Sequence, residues 1–409
     1  MRRVFWVTLV ALLPGTALAG PLSFDAAIEI ATQNAPSVEA SKAGLEASRN
    51  AATAAGQLPD PSLTVGVENF PVSGPPAFSF SREGMTMKRI GIEQAFPNPA
   101  KRRAQVRRAE TGTQVAGAEL AVEEQDVRLR TALAWIDLYY AKRRLAQLQS
   151  LDEGLGDLQG TVSARLASGT ARPSQALEPE QLRAVVKDRR SQLEAEAVRA
   201  QARLASLTGD PDVDVLGDPP SVELDREKLE AGLPVLPRIA ALDAGVQAAD
   251  AETGLARSDK RPGWKVSASY GRRSPSYGDM VSVGVTIDLP LFPKRRQDPL
   301  IAAREGEADR ARFMRIAGER DLRASFASDL ADYDLSVSRL GNSRSVLVPL
   351  AKRRAELDMV SYSAGKLDLG LALLSTLALA EAEVEALSRE GDVVRGAIKI
   401  RYTYGDVRP

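Results

Sequence analysis

The chain is built from two copies of one unit. Pro36 and Pro61 recur as Pro237 and Pro262, in both cases 201 residues later. The Ile-Gly-Ile motif centred on Gly91 matches a Val-Gly-Val motif centred on Gly284. A period of about two hundred residues is far longer than that of solenoid repeats, which indicates the duplication of a whole ancestral unit. Any fold proposed for this chain must therefore form the same arrangement twice.

The duplication sets the expected domain boundaries. We predict a signal peptide over 1–19, a first repeat over 20–209, an inter-repeat linker over 210–236, a second repeat over 237–405 and a C-terminal tail over 406–409. Each repeat is expected to contain a helix, a β-hairpin and a pair of long helices.

The N-terminus has the three regions of a secretory signal. Arg2 and Arg3 precede an apolar run over 4–13, and Ala17-Leu18-Ala19 supplies the small residues of a cleavage site. The run is too short to cross a bilayer as a helix, and no later stretch reaches about 18 uninterrupted apolar residues. Any insertion into a membrane must therefore use strands.

Two segments of each repeat alternate between apolar and polar residues. They form predicted hairpins at about 62–96 and 264–289, with strands of about ten residues, the length of a tilted membrane-crossing strand. A soluble, half-buried sheet is the alternative. Four strands are too few to close a barrel, and open edges are not tolerated in lipid. Membrane insertion would thus require several copies of the chain to share one barrel, and three chains would give about twelve strands.

Very long helices are expected after each hairpin. The segment 99–168 is about 70 residues long and would reach about 105 Å as a helix. Its counterpart, 293–364, is interrupted at Pro349, and return helices are expected over 173–207 and 367–402. Small apolar and charged residues alternate along them, which favours helices packed side by side with water on at least one side. A coiled-coil scaffold would use the same pattern.

The composition argues against an enzyme. The chain has no His and no Cys, which excludes a Ser-His-Asp triad, a Cys nucleophile and His or Cys zinc ligands. Its 54 basic and 54 acidic residues give no positive field for nucleic acid. A carboxylate enzyme such as a glycosidase would need more than 5% aromatic residues. We therefore expect no catalytic residue, no cofactor and no resident metal; Met85, Met87 and Met280 are interpreted as hairpin side chains rather than copper ligands.

The order of these elements resembles the TolC family of outer-membrane efflux proteins. The resemblance covers about residues 22–406 and depends on short motifs: Leu22 to Ala27 with Asn34-Ala35-Pro36, Tyr362-Ser363-Ala364-Gly365 before Leu373-Leu374, and Tyr402-Thr403-Tyr404-Gly405. The segments Leu58 to Pro61, Asn69 to Val72 and Met85 to Met87 are similar to the cobalt-zinc-cadmium and copper resistance branch.

The resemblance implies a mainly α fold with a membrane β-barrel portion. A trimeric, twelve-strand barrel in outer-membrane lipid would continue as a periplasmic α-helical barrel. The implied function is the passive outer-membrane conduit of a tripartite efflux system of the resistance-nodulation-division type, with heavy-metal cations as the implied substrate. A periplasmic adaptor and an inner-membrane pump are the implied partners. A periplasmic coiled-coil scaffold without channel activity is the alternative function.

The resemblance also implies where a periplasmic entrance and adaptor-docking site would lie. The candidates are Gly169, Glu178, Tyr362, Gly365, Lys366 and Asp368. The acidic positions typical of the family, six and nine residues beyond the glycine, are Leu371 and Leu374 in the second repeat and Gln175 and Glu178 in the first. This departure weakens the expectation of a carboxylate gate.

Overall fold

The computed structural model describes residues 20–167, 177–221 and 223–405, with side chains described throughout except at 150–167. Helices and one small sheet make up these residues. The helices are α1 (Phe24–Asn34), α2 (Pro36–Ala54), α3 (Pro99–Ala167), α4 (Glu178–Thr208), α5 (Arg226–Gly232), α6 (Pro237–Ser258), α7 (Gln297–Asn342), α8 (Val348–Ser363) and α9 (Leu369–Tyr404). The strands are β1 (Ser62–Glu68), β2 (Met87–Phe96), β3 (Trp264–Arg272) and β4 (Met280–Ile287).

Local sequence signals fix the ends of several helices. The Ser23 hydroxyl accepts a hydrogen bond from the Ala26 amide at 3.3 Å and caps α1. Ala35 adopts an extended conformation because the following Pro36 excludes the helical region, so α1 and α2 are separate helices. At its other end α4 stops at Gly209, which has a φ of 80°.

The chain divides into two compact units, and each takes segments from both sequence repeats. The first contains 1–38, 124–232 and 324–409, and the second contains 39–123 and 233–323. The four-stranded sheet belongs to the second unit. The predicted division of the chain into repeats stays a prediction, since the compact units cut across it.

The core of the first unit is built around Trp135. Its side chain is fully buried, its indole N–H donates to the Leu22 carbonyl at 2.9 Å, and its ring meets Phe24 edge to face at 5.5 Å. Leu22 also forms a short parallel bridge with Val215. The segment around Leu22 is thereby packed onto α3 and the segment after α4. A second apolar cluster of this unit joins α3, α4 and α9 through Leu148, Leu182, Val186, Leu193, Leu369, Leu373 and Val384.

The interruption expected at Pro349 takes the form of a π-helical segment, Ser343–Leu347, between α7 and α8. The Val348 amide donates to the Ser343 carbonyl, five residues back. Pro349 has no amide hydrogen and cannot continue the ordinary i to i−4 pattern. One wider turn accommodates the proline without ending the helical run, as is typical of π-bulges.

Candidate functional site

The four strands form one antiparallel sheet in the order β1-β2-β3-β4, and one of its faces is apolar. Leu63 lies opposite Ile92 and Val65 opposite Ile90, because cross-strand partners share a face. The apolar face consists of Leu63, Val65, Val67, Ile90, Ile92, Val266, Ala268, Tyr270, Val281, Val283, Val285 and Ile287. All of these side chains except that of the half-buried Val266 are exposed, to 72% at Val65 and 74% at Val281. A large exposed apolar surface of this kind indicates an interaction with lipid or protein.

The opposite, polar face carries small and charged residues. It consists of Ser62, Thr64, Gly66, Glu68, Arg89, Gly91, Glu93, Lys265, Ser267, Ser269, Ser282, Gly284 and Thr286. Its charges pair across strands: Arg89 with Glu68, and Lys265 with Glu93 at 3.6 Å. A Cβ at Gly91 would lie 3.0 Å from the Ser269 Cβ, so a larger side chain would crowd this face. The face is therefore polar, carries mostly small side chains, and has its positive and negative charges in pairs.

Both outer strands have unpaired edges. Among the described residues, β1 pairs only with β2, and β4 pairs only with β3. Their outward backbone N–H and C=O groups are available to another strand. In the described part of the chain, no helix is both long enough and apolar enough to cross a membrane.

The turn between α8 and α9, in the first unit, has a defined geometry. The Lys366 amide donates to the Ser361 carbonyl and the Gly365 amide to the Tyr362 carbonyl, both at 2.9 Å. This pair of bonds is a Schellman motif, which requires the left-handed conformation seen at Gly365, with a φ of 74°. Gly365 is thus required by the turn, and Lys366 is left exposed.

Two of the predicted acidic residues lie together beside this turn. Asp368 caps α9 by accepting a hydrogen bond from the Gly370 amide at 3.0 Å. The Glu178 carboxylate, at the start of α4, lies so close to Gly370 that a Cβ there would be 3.3 Å from Glu178 Cδ. Burial raises the pKa of Glu178, the charge of Asp368 raises it further, and the Gly370 amide opposes both effects. No sequence motif indicates that Gly370 lies beside both of these acids.

The other predicted residues have different surroundings. Tyr362 is partly buried and packs against the Leu-rich cluster of α3, α4 and α9, so its ring supports the helix packing. Leu371 and Leu374, at the positions where the family has acids, are 55% and 59% exposed. Gly169 lies outside the described residues.

One polar cavity of the first unit was not predicted. It has a volume of about 280 Å³ and lies between α3, α4 and α9 around Asp137. The Asp137 carboxylate is 2.9 Å from Arg395 and 4.0 Å from Arg203. Burial raises the pKa of Asp137, although both arginines lower it. These three residues are far apart in sequence. A single acid in a long helix gives no sequence signal that arginines of two other helices lie beside it.

No group of three or more acidic residues within the described ranges is placed to hold a metal ion. The Glu178 and Asp368 pair supplies two carboxylates at most. Their arrangement suits the brief attraction of cations better than the tight binding of one ion.

The chain is similar to known proteins over nearly its whole length. It is 26% identical to the cobalt-zinc-cadmium resistance protein CzcC of Cupriavidus metallidurans, over 96% of this chain and 92% of that protein. No family model matches it. Its fold matches the outer-membrane channel OprN with a TM-score of 0.77 at 19% identity, over 93% of this chain and 89% of that one.

This sequence similarity and the shared fold support the resemblance to the TolC family of outer-membrane channel proteins. A further TolC-type fold, that of CusC, matches with a TM-score of 0.74 at 13% identity, over 93% of this chain and 92% of that one. The predicted fold class, mainly helical with a small antiparallel sheet, is confirmed by these structures. The similarity to CzcC supports the predicted family. The roles of the individual entrance residues stay predictions.

Replacing Glu178 by Gln tests the electrostatics of the α4 and α9 ends. Because its pKa is raised in the folded chain, the native state binds this proton more tightly, and stability falls as the pH rises through that pKa. Glu178→Gln should therefore raise the thermal midpoint at about pH 7.5 and leave it unchanged at about pH 3.5. The exposed Glu230→Gln in α5 is the control and should show no such pH-dependent difference. Equal midpoints for Glu178→Gln and wild type at both pH values would contradict this assignment.

Proposed function

We propose that the chain is the outer-membrane channel of a tripartite efflux system and that it exports heavy-metal cations. The observation that supports this most strongly is the sheet, which separates an exposed apolar face from a balanced polar face over all four strands. An apolar outside and a polar inside are what a membrane barrel requires.

The channel is completed by two further copies of the chain. A single sheet has two unpaired edges, and lipid provides no partner for their backbone groups. Pairing β4 of one copy with β1 of the next satisfies both edges. Three copies of a four-stranded sheet supply about twelve strands, enough to enclose a water-filled lumen.

Transport through this lumen is passive diffusion. The polar face would line the barrel, and its Arg89 and Lys265 charges are already balanced by Glu68 and Glu93. A neutral, wet wall neither retains nor repels an ion strongly, so conduction needs no tight binding site. No catalytic step is proposed, and the energy for export is supplied by an inner-membrane pump.

The proposed substrate class follows from the similarity to a cobalt-zinc-cadmium resistance protein. The carboxylates of Glu178 and Asp368 support it, because three copies would place six acidic groups near the helix turns of the trimer. Such groups raise the local concentration of divalent cations. Leu371 and Leu374 would add apolar side chains at the same level of the helices.

The periplasmic adaptor is proposed to dock at the turns of the helical hairpins. The turn at Gly365 presents Lys366 to solvent. Gly169, the sequence counterpart of Gly365 in the first repeat, is proposed as the second docking position. The Schellman motif gives the second turn a fixed backbone shape, which favours recognition by a partner. The alternative of a soluble coiled-coil scaffold is disfavoured, since it leaves the exposed apolar face of the sheet without a role.

Adjacent residues on β4 test the assignment of the two faces. Val283→Lys puts a charge on the apolar face, where it should cost about 2–4 kcal/mol at the bilayer midplane. Ser282→Lys puts the same charge on the polar face and serves as the matched control. We expect Val283→Lys to reduce the amount of folded, heat-modifiable oligomer in outer-membrane fractions, and Ser282→Lys to leave it unchanged. Equal tolerance of both substitutions would contradict the proposed faces.

Metal sensitivity tests the substrate class. Deletion of the gene should lower the inhibitory concentrations of zinc, cobalt and cadmium several-fold, and the wild-type chain should restore them. Ser282→Lys should complement the deletion, whereas Val283→Lys should not. Sensitivity to organic compounds alone, with unchanged metal tolerance, would show that a channel is present but carries another class of substrate.

A further inference from the structure

Two cations lie directly opposite each other at one end of the apolar face. Lys88 of β2 is the cross-strand partner of Arg272 of β3, next to the Ile90 and Tyr270 pair of the same face. Like charges in directly opposed positions destabilise a sheet. The remaining charges of the sheet, on its polar face, are arranged as opposite pairs. The Lys88 and Arg272 pair therefore departs from the pattern of the sheet.

Among the described residues, no acid forms a salt bridge with either member of this pair. Asp279 is the acid next to Arg272 in the hairpin loop, but its carboxylate accepts hydrogen bonds from the Tyr270 hydroxyl and the Arg273 amide. Within the described ranges neither Lys88 nor Arg272 forms an ion pair within 4.0 Å. Arg273, by contrast, is used within the loop, where it donates to the carbonyls of Tyr277 and Gly278.

The position of the pair matches the headgroup level of a bilayer. It lies where the strands enter the hairpin loops, 273–279 and 69–86. The stacked rings of Phe96 and Trp264, 4.3 Å apart, mark the other end of the same face. Eight residues of β3 separate Trp264 from Arg272, about 26 Å along the strand. This is close to the height of about 25 Å expected for the apolar band of an outer-membrane barrel.

The surroundings of the pair suit an amphipathic ligand. Lys88 Nζ lies 5.6 Å from the centroid of the Phe80 ring. This cation–π contact holds the ammonium group beside the hairpin loops. Ile90 and Tyr270, 49% and 44% exposed, continue the apolar surface from the cations towards the middle of the face. A ligand with an anionic head and an apolar chain would satisfy both features at once.

We propose that Lys88 and Arg272 together bind the phosphate of a lipid headgroup in the leaflet that surrounds the hairpin loops. The guanidinium of Arg272 can hold two phosphate oxygens, and the ammonium of Lys88 adds a point charge from the neighbouring strand. The acyl chains of the same lipid lie along Ile90 and Tyr270. This inference rests on the proposed function, since it requires the apolar face to be in a bilayer.

Native mass spectrometry of the full chain in mild detergent tests this site. Wild type, Lys88→Gln/Arg272→Gln and a control, Arg89→Gln/Lys265→Gln, are each titrated with dioleoyl phosphatidic acid or with dioleoylglycerol. The control removes the same two positive charges from the polar face. Heat-modifiable oligomer on gels establishes that each variant has folded and inserted.

Wild type and the control should bind phosphatidic acid about tenfold more tightly than dioleoylglycerol, a difference of about 1.4 kcal/mol. The Lys88→Gln/Arg272→Gln variant should bind the two lipids equally. Inorganic phosphate at about 10 mM should not displace the phosphatidic acid, since it lacks the chains that contact the apolar face.

Four results would overturn the inference. If wild type inserts but does not prefer phosphatidic acid, or if the control loses the preference as the variant does, the site is wrong and the channel proposal is unaffected. If inorganic phosphate displaces the lipid, the site is an anion site without lipid selectivity. If wild type does not enter detergent micelles at all, the proposed function fails together with this inference.

Discussion

The structure depends on a requirement of backbone hydrogen bonding. Four strands form a sheet whose first and last members, β1 and β4, each lack a neighbour on one side. In water these edges could be solvated, but the exposed apolar face, with Val65 and Val281 more than 70% exposed, makes water the wrong environment for the sheet. In lipid the edges must be paired. A single chain can therefore meet only one of two requirements: lipid around its apolar face, or hydrogen-bond partners for its edge strands. Several copies that pair their edge strands within lipid meet both.

The charged residues are arranged differently on the sheet and at the helix turn. Arg89 and Lys265 on the polar face are matched by Glu68 and Glu93, which leaves a wall that a hydrated ion can pass without a deep energy well. At the turn of α8 and α9 the chain instead brings two carboxylates, Glu178 and Asp368, close enough for burial and repulsion to raise the pKa of one of them. Charge is thus balanced along the sheet and concentrated beside the helix turn.

Much of the fold could be predicted from the sequence, because periodicity is a local signal. The alternation over 281–287 predicts β4, and the unbroken helical pattern after Pro99 predicts α3. Contacts between distant segments could not be predicted in this way. Asp137 meets Arg203 and Arg395, and Glu178 meets Gly370, through helix packing that local patterns do not encode. The register of β2 against β3, which joins the two repeats and opposes Lys88 to Arg272, is a further example.

The most direct test is disulfide crosslinking between the sheet edges of neighbouring copies. The chain has no cysteine, so every disulfide formed comes from introduced residues. Thr64→Cys in β1 is combined with Ser282→Cys or Thr286→Cys in β4, all on the polar face, and each single variant is the control. If identical sheets complete one another, at least one double variant gives a ladder that ends at the trimer, and no single variant does. Double variants that stay monomeric on oxidation, in a chain that is monomeric in mild detergent, would contradict this arrangement.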